Sequence, residues 1–407
     1  MNIDFMRWVD YYVGLPLCFA LTCIKKIYSL FPRRVRTRPL RKILFIELSE
    51  MGSTILADPA MQKLKRTLNV NLYFAIFRSN SPSLDLLDTI PRENLFSMQD
   101  SGILSLAADA IRFFFWTRKN HIDTVIDLEL FSRFTALLTG ISGADRTVGF
   151  HAFHHEGLYR GDFLTHKVAY NPHQHIAKNF IALANSLLSI KAENPYSKTV
   201  IPDEEMAIRK VVVSDQSRQL MLQKISTAFP AFDAGHHKIV LFNTNASDLI
   251  PLRRWPQNNF IELARMVLDR YPRVLIFLTG DSPEREEKEF IIQAAKSDRC
   301  VNFAGRTTIT ELPSLYTMSA FMLTNDSGPA QFAAITTMPV FVLFGPETPN
   351  LYGPLGTMTP IYAGLACSPC VTAANHRKTV CNDNVCLKAV TPEQVFETIK
   401  SSLDALR

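Results

Sequence analysis

The feature that most constrains the fold is an alternation of short apolar runs with helical patterns, which occurs twice along the 407 residues. In the first stretch, the runs KILFIEL (42–48), NLYFAIF (71–77) and IDTVIDL (122–128) are typical of buried strands, and residues 173–190 have the period of an amphipathic helix. The rhythm restarts at residue 238, with strands predicted at 238–243, 273–280, 300–305, 320–326 and 339–345, and helices at 257–270, 284–297, 310–318 and 328–337. Buried strands separated by helices predict parallel sheets covered by helices.

The length and the two runs together predict an α/β protein with two Rossmann-like, doubly wound lobes that face an inter-lobe cleft. We expect lobes at 42–190 and 237–390, joined by a linker region at 191–236, where the periodicity weakens around three prolines. An arm at 1–41 precedes the lobes, and a helix at 391–407 follows them, with Thr391 as its N-cap. In lobes of this kind, ligands bind at the carboxyl ends of the strands.

The N-terminal arm, residues 1–41, carries the basic character of the chain. Residues 1–42 contain nine Lys or Arg and two Asp, a net charge of +7, whereas the whole chain carries +6. The arm also contains a fourteen-residue uncharged run (11–24), shorter than the roughly 20 apolar residues that a spanning helix needs. An apolar segment beside a polybasic tract favours an interfacial anchor on an anionic membrane surface, the alternative being a helix buried against the body. Nucleic acid is not an expected partner, because no nucleic-acid-binding motif accompanies the basic residues.

The most specific signal is the stretch TNDSGPAQFAAITTMPVFVLFGPETPNLYGP, residues 324–354. A predicted strand ends at Asn325-Asp326, a tight turn follows at Ser327-Gly328, and a helix begins there. The free backbone N–H groups of such a helix end bind anions, although the same residues also cap many helices that bind nothing. A second strand then delivers the loop FGPETP to the same edge of the sheet.

This stretch resembles the signature of glycosyltransferase family 9, the bacterial lipopolysaccharide heptosyltransferase family. Three further stretches match in order: ILFIELSEMGSTILADPAM near the start of the first lobe, RRWPQNNFIELA at 253–264, and LTGDSPERE at 278–286. The resemblance covers about residues 42–400. It implies a GT-B architecture, an N-terminal acceptor lobe, a C-terminal nucleotide-sugar lobe, and inverting transfer that uses no catalytic metal.

The resemblance also assigns donor-binding residues. Asp326, Ser327 and Gly328 are expected to contact the sugar and the diphosphate. Arg253 or Arg254 is expected to stabilise the negative charge that builds on the leaving diphosphate. Glu284 or Glu286 is expected to contact the nucleotide ribose. Gln331 occupies the position where the family usually has histidine and is expected to donate a hydrogen bond to a phosphate. Each also has a plain structural alternative, such as a solvated charge or a carboxylate in the first turn of a helix.

The turn after the first strand departs from the family pattern at the presumed catalytic base. The family has Met-Gly-Asp there, whereas this chain has Met51-Gly52-Ser53. A serine hydroxyl does not act as a general base at neutral pH, yet inverting transfer needs a group that deprotonates the acceptor hydroxyl. We therefore assign Glu50, three residues before Ser53, as the base; the alternative is that the lobe only binds.

Four cysteines, Cys367, Cys370, Cys381 and Cys386, have the spacing C-x2-C-x10-C-x4-C within the second lobe. Paired cysteines at such spacing predict a structural tetrahedral metal site, for zinc or iron, and the alternatives are disulfides or free thiols. His376 lies between the pairs as a spare ligand candidate.

The sequence as a whole predicts an inverting glycosyltransferase that moves a sugar, for example heptose from ADP-heptose, onto a surface glycan or a lipid-linked acceptor such as lipopolysaccharide core. We expect it in the cytoplasm, peripheral on the inner face of the cytoplasmic membrane. One alternative is a nucleotide-sugar epimerase or hydrolase on the same scaffold. The other is a non-catalytic nucleotide-sugar-binding protein, suggested by Ser53 and Gln331.

Overall fold

The computed structural model describes residues 3–31, 39–154, 156–373, 375 and 377–407. The chain forms two compact units, of which unit 1 comprises Met1–Ala207 with Thr372–Arg377, and unit 2 comprises Ile208–Val371 with Lys378–Arg407. The basic tract at 32–38 and His376, both singled out in the sequence, lie outside the described residues.

Unit 1 is built on a parallel six-stranded sheet with helices. Its strands are β1 (Lys42–Ile46), β2 (Asn71–Phe77), β3 (Leu95–Met98), β4 (Thr124–Asp127), β5 (Arg146–Phe150) and β6 (His166–Val168). Its helices are α1 (Ile3–Val9), α2 (Leu15–Ser29), α3 (Met51–Leu68), α4 (Pro82–Asp85), α5 (Ile103–Lys119), α6 (Arg133–Ile141) and α7 (Ile176–Leu188), with a π-helical turn at Asp10–Gly14 and 3-10 turns at Arg92–Asn94 and Asp203–Met206. The strand order is β3-β2-β1-β4-β5-β6.

Unit 2 repeats the architecture with a second parallel six-stranded sheet. Its strands are β7 (Lys238–Asn243), β8 (Val274–Thr279), β9 (Cys300–Asn302), β10 (Ser319–Asn325), β11 (Val340–Leu343) and β12 (Met358–Ile361). Its helices are α8 (Asp215–Ala228), α9 (Gln257–Arg270), α10 (Arg285–Ala295), α11 (Leu312–Thr317), α12 (Gly328–Ala333), α13 (Pro349–Tyr352), α14 (Val385–Lys388) and α15 (Pro392–Asp404), with 3-10 turns at Pro251–Arg253, Ser282–Glu284 and Ile309–Glu311. The strand order is β12-β11-β10-β7-β8-β9.

The apolar runs of the sequence form the centres of both sheets. In β1, Ile43 to Ile46 are fully buried, and β8 is buried along its whole length. Strands covered by helices on both faces read as continuous apolar runs, so the prediction of parallel sheets in the α/β class is confirmed. The C-terminal helix is confirmed too: Thr391 accepts a hydrogen bond from the backbone N–H of Gln394 and completes a capping box.

The sequence missed several elements whose local signal is weak. The strands β3, β5, β6 and β12 have only three to five residues. Helix α12 ends at Ala333, four residues before its predicted end at 337. The region 191–236, expected as the linker region between the lobes, contains α8, in which only Met221 and Ile225 are buried. A helix that is polar almost all round has little hydrophobic periodicity to detect.

The order of the strands determines where each unit collects functional groups. In unit 1 the chain moves outward from β1 through β2 to β3 and then returns to place β4 on the other side of β1. In unit 2 it moves from β7 to β9 and returns to place β10 beside β7. The loops after β1 and β4, and those after β7 and β10, therefore diverge at a topological switch point, where open α/β sheets bind ligands.

The described part of the N-terminal arm is helical and packs on α6 along a narrow stripe. Gly14, Cys18 and Thr22 are buried in this contact, whereas most of the large apolar side chains of the arm are exposed. The arm is thus docked on unit 1 by one side and presents an apolar surface on the other, and the interfacial anchor stays a prediction. Among the described residues, none of the helices combines the length and hydrophobicity needed to cross a lipid bilayer.

Candidate active site

The switch point of unit 2 is organised by the buried side chain of Asn325, the last residue of β10. Its Oδ1 accepts a hydrogen bond from the backbone N–H of Trp255 at 2.9 Å, and its Nδ2 donates to the carbonyl of Thr244 at 3.0 Å. Asn325 thereby links the end of β10 to both ends of the loop after β7. The indole of Trp255, almost fully buried, donates to the carbonyl of Val390 at 2.8 Å. These contacts fix the backbone on which Arg253 and Asp326 are carried.

Arg253, Asp326 and Glu347 form a buried charged cluster at this point. The guanidinium of Arg253 lies 3.3 Å from a Glu347 carboxylate oxygen and 3.7 Å from one of Asp326. Burial, and then the nearby charge of Asp326, raise the pKa of Glu347 well above its usual value. Arg253 is thus a preorganised cation at the carboxyl end of the sheet, where a diphosphate can take the place of the carboxylate.

Of the two arginines named from the sequence, the structure brings only Arg253 to Asp326. Arg254 turns back into its own loop, where it donates to the carbonyl of Ala246 at 2.7 Å and pairs with Asp248. Sequence reasoning missed Glu347. It lies in the quoted loop FGPETP, and a carboxylate in a loop at this sheet edge is the signal that could have identified it.

The turn at Ser327-Gly328 begins α12 as predicted, but this helix has only six residues. The hydroxyl of Ser327 lies 3.2 Å from that of Thr324 and makes no capping hydrogen bond to the helix. Gln331, expected to face a phosphate, is buried, and its amide donates to the carbonyl of Tyr352 at 2.8 Å. In this structure Gln331 therefore tethers α12 to α13, a role that the sequence analysis did not foresee.

Glu284, rather than Glu286, occupies the carboxyl end of β8. Its side chain lies against Gly280, where an added Cβ would come within 2.1 Å of a Glu284 oxygen. The fully buried Lys288 places its ammonium 3.1 Å from Glu284 and 3.3 Å from Glu287, while Glu286 is exposed. Lys288 was missed by the sequence analysis, although its spacing of four residues from Glu284 is that of a helical ion pair.

In unit 1, Glu50 is the N-cap residue of α3 at the end of the loop after β1. The hydroxyl of Ser53 donates to one Glu50 carboxylate oxygen at 3.0 Å, and the buried Arg377 forms an ion pair with the other. The guanidinium of Arg377 also stacks on the ring of Phe131, 5.0 Å from its centroid. The structure thus places Glu50 and Ser53 one hydrogen bond apart and adds an arginine that the sequence did not predict.

Three more carboxyl groups are buried beside this loop, at the ends of β1 and β4. Glu129 accepts hydrogen bonds from the hydroxyl of Ser49 at 2.6 Å and from two backbone N–H groups. Burial is the main cause that raises the pKa of Asp127 to about 6, and burial followed by the charge of Glu129 raises that of Glu47 well above its usual value. Such perturbed carboxyls are typical of functional sites.

Arg160 compensates part of this buried negative charge. Its guanidinium lies 2.5 Å from Asp127 and also donates to the carbonyl of Glu129 and the hydroxyl of Thr135. The residue belongs to a stretch of the sequence that is rich in His, Arg and Tyr, residues 149–175. Burial lowers the pKa of the second cation, Arg377, to about 10.

The four cysteines expected to hold a metal are not arranged as its ligands. Within the described ranges, no three side chains of the metal-binding types lie together, and none of Cys367, Cys370, Cys381 and Cys386 forms a disulfide. Cys367 and Cys381 are exposed, and the thiol of Cys381 donates to the carbonyl of Asp383 at 3.0 Å. The prediction of a zinc or iron site therefore does not fit this structure, because spacing alone does not make four thiols converge on one point.

Comparison with known proteins agrees with the geometry. The family model of glycosyltransferase family 9 (heptosyltransferase) matches residues 113–380. Lipooligosaccharide heptosyltransferase 2 of Haemophilus influenzae is 32% identical over 112 residues, which are 27% of this chain and 32% of that protein. Lipopolysaccharide heptosyltransferase 1 of Campylobacter coli is 22% identical over 320 residues, 76% of this chain and 85% of that protein.

A solved structure gives the same result for the fold. The ADP-heptose lipopolysaccharide heptosyltransferase II of E. coli superposes with a TM-score of 0.67 at 19% identity, covering 89% of this chain and 98% of that one. The fold is therefore GT-B, as the sequence predicted. The family model covers more than half of the chain, including Asp326, Arg253 and the surrounding loops. The chain belongs to glycosyltransferase family 9, the heptosyltransferase family.

Proposed function

We propose that the protein is an inverting glycosyltransferase that transfers a heptose from a nucleotide diphosphate to an acceptor of the lipopolysaccharide core type. Membership of family 9 and the names of its relatives support this reaction. The observation that carries the proposal is Arg253, whose side chain is 11% exposed and lies opposite Asp326 and Glu347 at the switch point of unit 2. The E. coli structural neighbour is described as an ADP-heptose enzyme, so ADP-heptose is the donor to test first.

Unit 2 binds the donor in this proposal. Arg253 faces the diphosphate and stabilises the negative charge that develops as the bond between the sugar carbon and the phosphate oxygen breaks. Asp326, Ser327 and Gly328 contact the sugar and diphosphate, and Glu284 contacts the ribose. Gln331 supports this site through Tyr352 rather than through a phosphate.

Unit 1 supplies the base in this proposal. Glu50 takes the proton from the acceptor hydroxyl while that oxygen forms the new bond to the anomeric carbon. Ser53 occupies the position of the family's presumed base and donates its hydrogen bond to Glu50, so the two positions are one hydrogen bond apart. Arg377 holds the other carboxylate oxygen and thereby fixes the orientation of the group.

The base assignment is tested with Glu50→Gln, which keeps the shape of the side chain and removes its basicity. We expect transfer from ADP-heptose to decrease about 100-fold or more, with unchanged donor affinity by calorimetry, because the donor residues lie on unit 2. Glu93→Gln, an exposed position in the same unit, is the matched control and should retain full activity. Normal turnover by Glu50→Gln would place the base elsewhere.

The same assays separate the proposal from its two alternatives. Consumption of ADP-heptose without any acceptor would indicate a hydrolase or an epimerase. Donor binding without turnover at any acceptor would indicate a binding protein. A wild-type protein that binds no nucleotide sugar would contradict the proposed function as a whole.

The arm is proposed to hold the enzyme on an anionic, cytoplasm-facing membrane surface, where a lipid-linked acceptor is available. The support is the net charge of +7 over residues 1–42 together with the exposed apolar side chains of the arm. Trp8, Tyr11, Tyr12 and Tyr28 are all more than half exposed, and such rings favour the membrane–water interface.

A further inference from the structure

Helix α5 of unit 1 has an outward face that is unusually apolar for a surface helix. Leu104, Ile111 and Phe115 are 88%, 62% and 64% exposed, and Ala107 and Ala108 lie exposed between them. Their spacing places them on one side of the helix. The inward side of the helix already packs on unit 1: Phe113 is fully buried, and the carboxylate of Asp109 accepts a hydrogen bond from the backbone N–H of Gln99. The exposed stripe is therefore not needed for the core of unit 1.

This stripe and the N-terminal arm lie on the same layer of unit 1. Helix α5 packs on β3, α6 packs on β4, and the two helices contact each other, which requires them to cover the same face of the sheet. Thr117 and Arg118 of α5 donate to the carbonyl of Ser142 at the end of α6.

The arm joins α6 from its own side. Asp10 accepts hydrogen bonds from the first two backbone N–H groups of α6 at 2.8 and 3.2 Å, and Leu21 lies against Gly140 near the end of that helix. Helix α6 is thus in contact with both α5 and the arm. The side of each element that faces away from α6 and the sheet carries its exposed apolar residues.

The charges of this layer have one dominant sign. The exposed charged side chains of α5 are Arg112, Arg118 and Lys119, of which Arg112 pairs with the one acid of the helix, the buried Asp109. In the arm, Asp10 pairs with the buried Arg133 and Lys26 pairs with Asp162, and Lys25 lies beside Lys26 near the end of α2. In the sequence, four more arginines follow between residues 33 and 38, outside the described residues.

We propose that α5 and the N-terminal arm form one composite surface that binds an anionic lipid bilayer. This deepens the membrane part of the proposed function and rests on it. Apolar and aromatic side chains flanked by basic residues match a lipid interface, where rings and aliphatic groups enter the boundary of the acyl chains and cations meet the headgroups. A second copy of the chain would present the same basic surface, and like charges would then oppose each other.

Tryptophan quenching tests the contact directly. Phe115→Trp is made in a Trp8→Phe background. The Trp8→Phe protein alone gives the fluorescence and quenching of the two remaining native tryptophans, Trp116 and Trp255. Vesicles of phosphatidylcholine with about 30% phosphatidylglycerol, carrying brominated acyl chains, should quench the new indole. Phe290→Trp in the same background is the matched control, since Phe290 is 54% exposed in unit 2. Equal quenching at positions 115 and 290, or none at 115, would overturn the proposal.

Vesicle partitioning measures the contribution of α5. The triple change Leu104→Ser, Ile111→Ser and Phe115→Ser should weaken binding to these vesicles about tenfold or more and leave thermal unfolding unchanged, because all three side chains are exposed. The control triple Ile190→Ser, Val200→Ser and Phe290→Ser removes exposed apolar groups elsewhere and should bind as the wild type does. Wild-type partitioning by the α5 triple would show that the arm binds lipid alone.

Two further readouts keep the possible failures distinct. If light scattering shows a wild-type oligomer that the α5 triple converts to monomer without loss of lipid binding, the stripe binds a second copy and the proposal is wrong. Donor affinity for ADP-heptose, measured on the same variants, should be unchanged. Lost donor binding in the wild type would contradict the proposed transferase function, whatever the lipid result.

Discussion

At the level of single residues, the most unusual feature is the number of buried carboxyl groups around both switch points. Glu47, Asp127 and Glu129 in unit 1, and Asp326 and Glu347 in unit 2, are each at most 5% exposed. Burial disfavours the charged form of a carboxyl group, so such residues reduce stability unless cations and hydrogen bonds compensate. Arg160 pairs with Asp127, Arg253 pairs with Glu347, and the charge of Arg377 stabilises the charged form of Glu47. Titratable groups whose pKa is shifted by burial and nearby charges cluster at functional sites.

The substitution Asp127→Asn tests whether a buried carboxyl group reduces the stability of the fold. The pKa of Asp127 is about 6 in the folded protein and 3.8 ordinarily, so the folded state binds the proton more tightly than the unfolded state. The contribution of Asp127 to the free energy of unfolding therefore falls as the pH rises from 3.8 to about 6, by roughly 3 kcal/mol in total. Urea unfolding of both proteins across this window should show the wild type losing stability relative to Asp127→Asn. A difference that stays constant or changes sign would contradict the assignment.

At the level of elements, α6 depends on a residue of the arm more than on its own N-cap. Ser132, the N-cap residue, accepts from the N–H of Thr135 at a long 3.4 Å, whereas Asp10 serves the N–H groups of Arg133 and Phe134 and pairs with the guanidinium of Arg133. The arm is thereby part of the structure of unit 1.

Asp10→Ala should destabilise the protein by about 2 to 4 kcal/mol, because it leaves the almost fully buried Arg133 without its carboxylate and two N–H groups without an acceptor. Asp10→Asn keeps a hydrogen-bond acceptor, so its stability should lie between that of the wild type and that of Asp10→Ala. Asp85→Ala, which removes a pair with an 80%-exposed arginine, is the control and should change stability by about 1 kcal/mol or less. Equal melting temperatures for Asp10→Ala and Asp85→Ala would contradict the capping role.

The exposure of the cysteines, including those of the four-cysteine loop, predicts how fast each thiol reacts. Cys23, Cys367 and Cys381 are exposed and should react rapidly with a thiol reagent in the native protein. Cys18 and Cys300 are buried, and burial raises their pKa to about 11 and about 12, so they should react only on unfolding. Protection of Cys367 and Cys381 that a chelator relieves would instead indicate a bound metal.

At the level of the whole molecule, the charge is concentrated where the apolar surface is. Residues 1–42 carry +7, so the remainder of the chain is close to neutral, at −1. A bilayer with anionic headgroups attracts such a segment, and salt weakens the attraction because exposed charges are screened.

Replacing Arg33, Arg34, Arg36 and Arg38 by Gln should weaken binding to phosphatidylglycerol vesicles by up to about 1 kcal/mol for each residue and reduce its salt dependence. Turnover of a vesicle-borne acceptor should fall, while turnover of a water-soluble acceptor fragment should not. The matched control changes Lys191, Lys198, Arg209 and Arg218 to Gln, which removes the same charge from exposed positions outside the arm. Equal losses in both sets would mean that only net charge matters.

The sequence by itself determined the two-sheet α/β architecture and the family. Strand and helix signals depend on the burial period of a few neighbouring residues, and that period was clear for β1, β2, β8 and α9. The period was not detectable in short or polar elements such as β6 and α8, because few of their residues are buried. The motifs around Asp326 and Glu50 could also be recognised in the sequence, because each is a contiguous stretch of residues.

Only the tertiary structure decided which of the candidate side chains work together. Arg253 meets Glu347, 94 residues away, while the adjacent Arg254 turns back to Ala246. Glu284 rather than Glu286 reaches the end of β8, Arg377 reaches Glu50, and the four cysteines do not converge. These outcomes depend on the path of the chain between distant segments. Sequence spacing describes that path only within a helix, a strand or a tight turn.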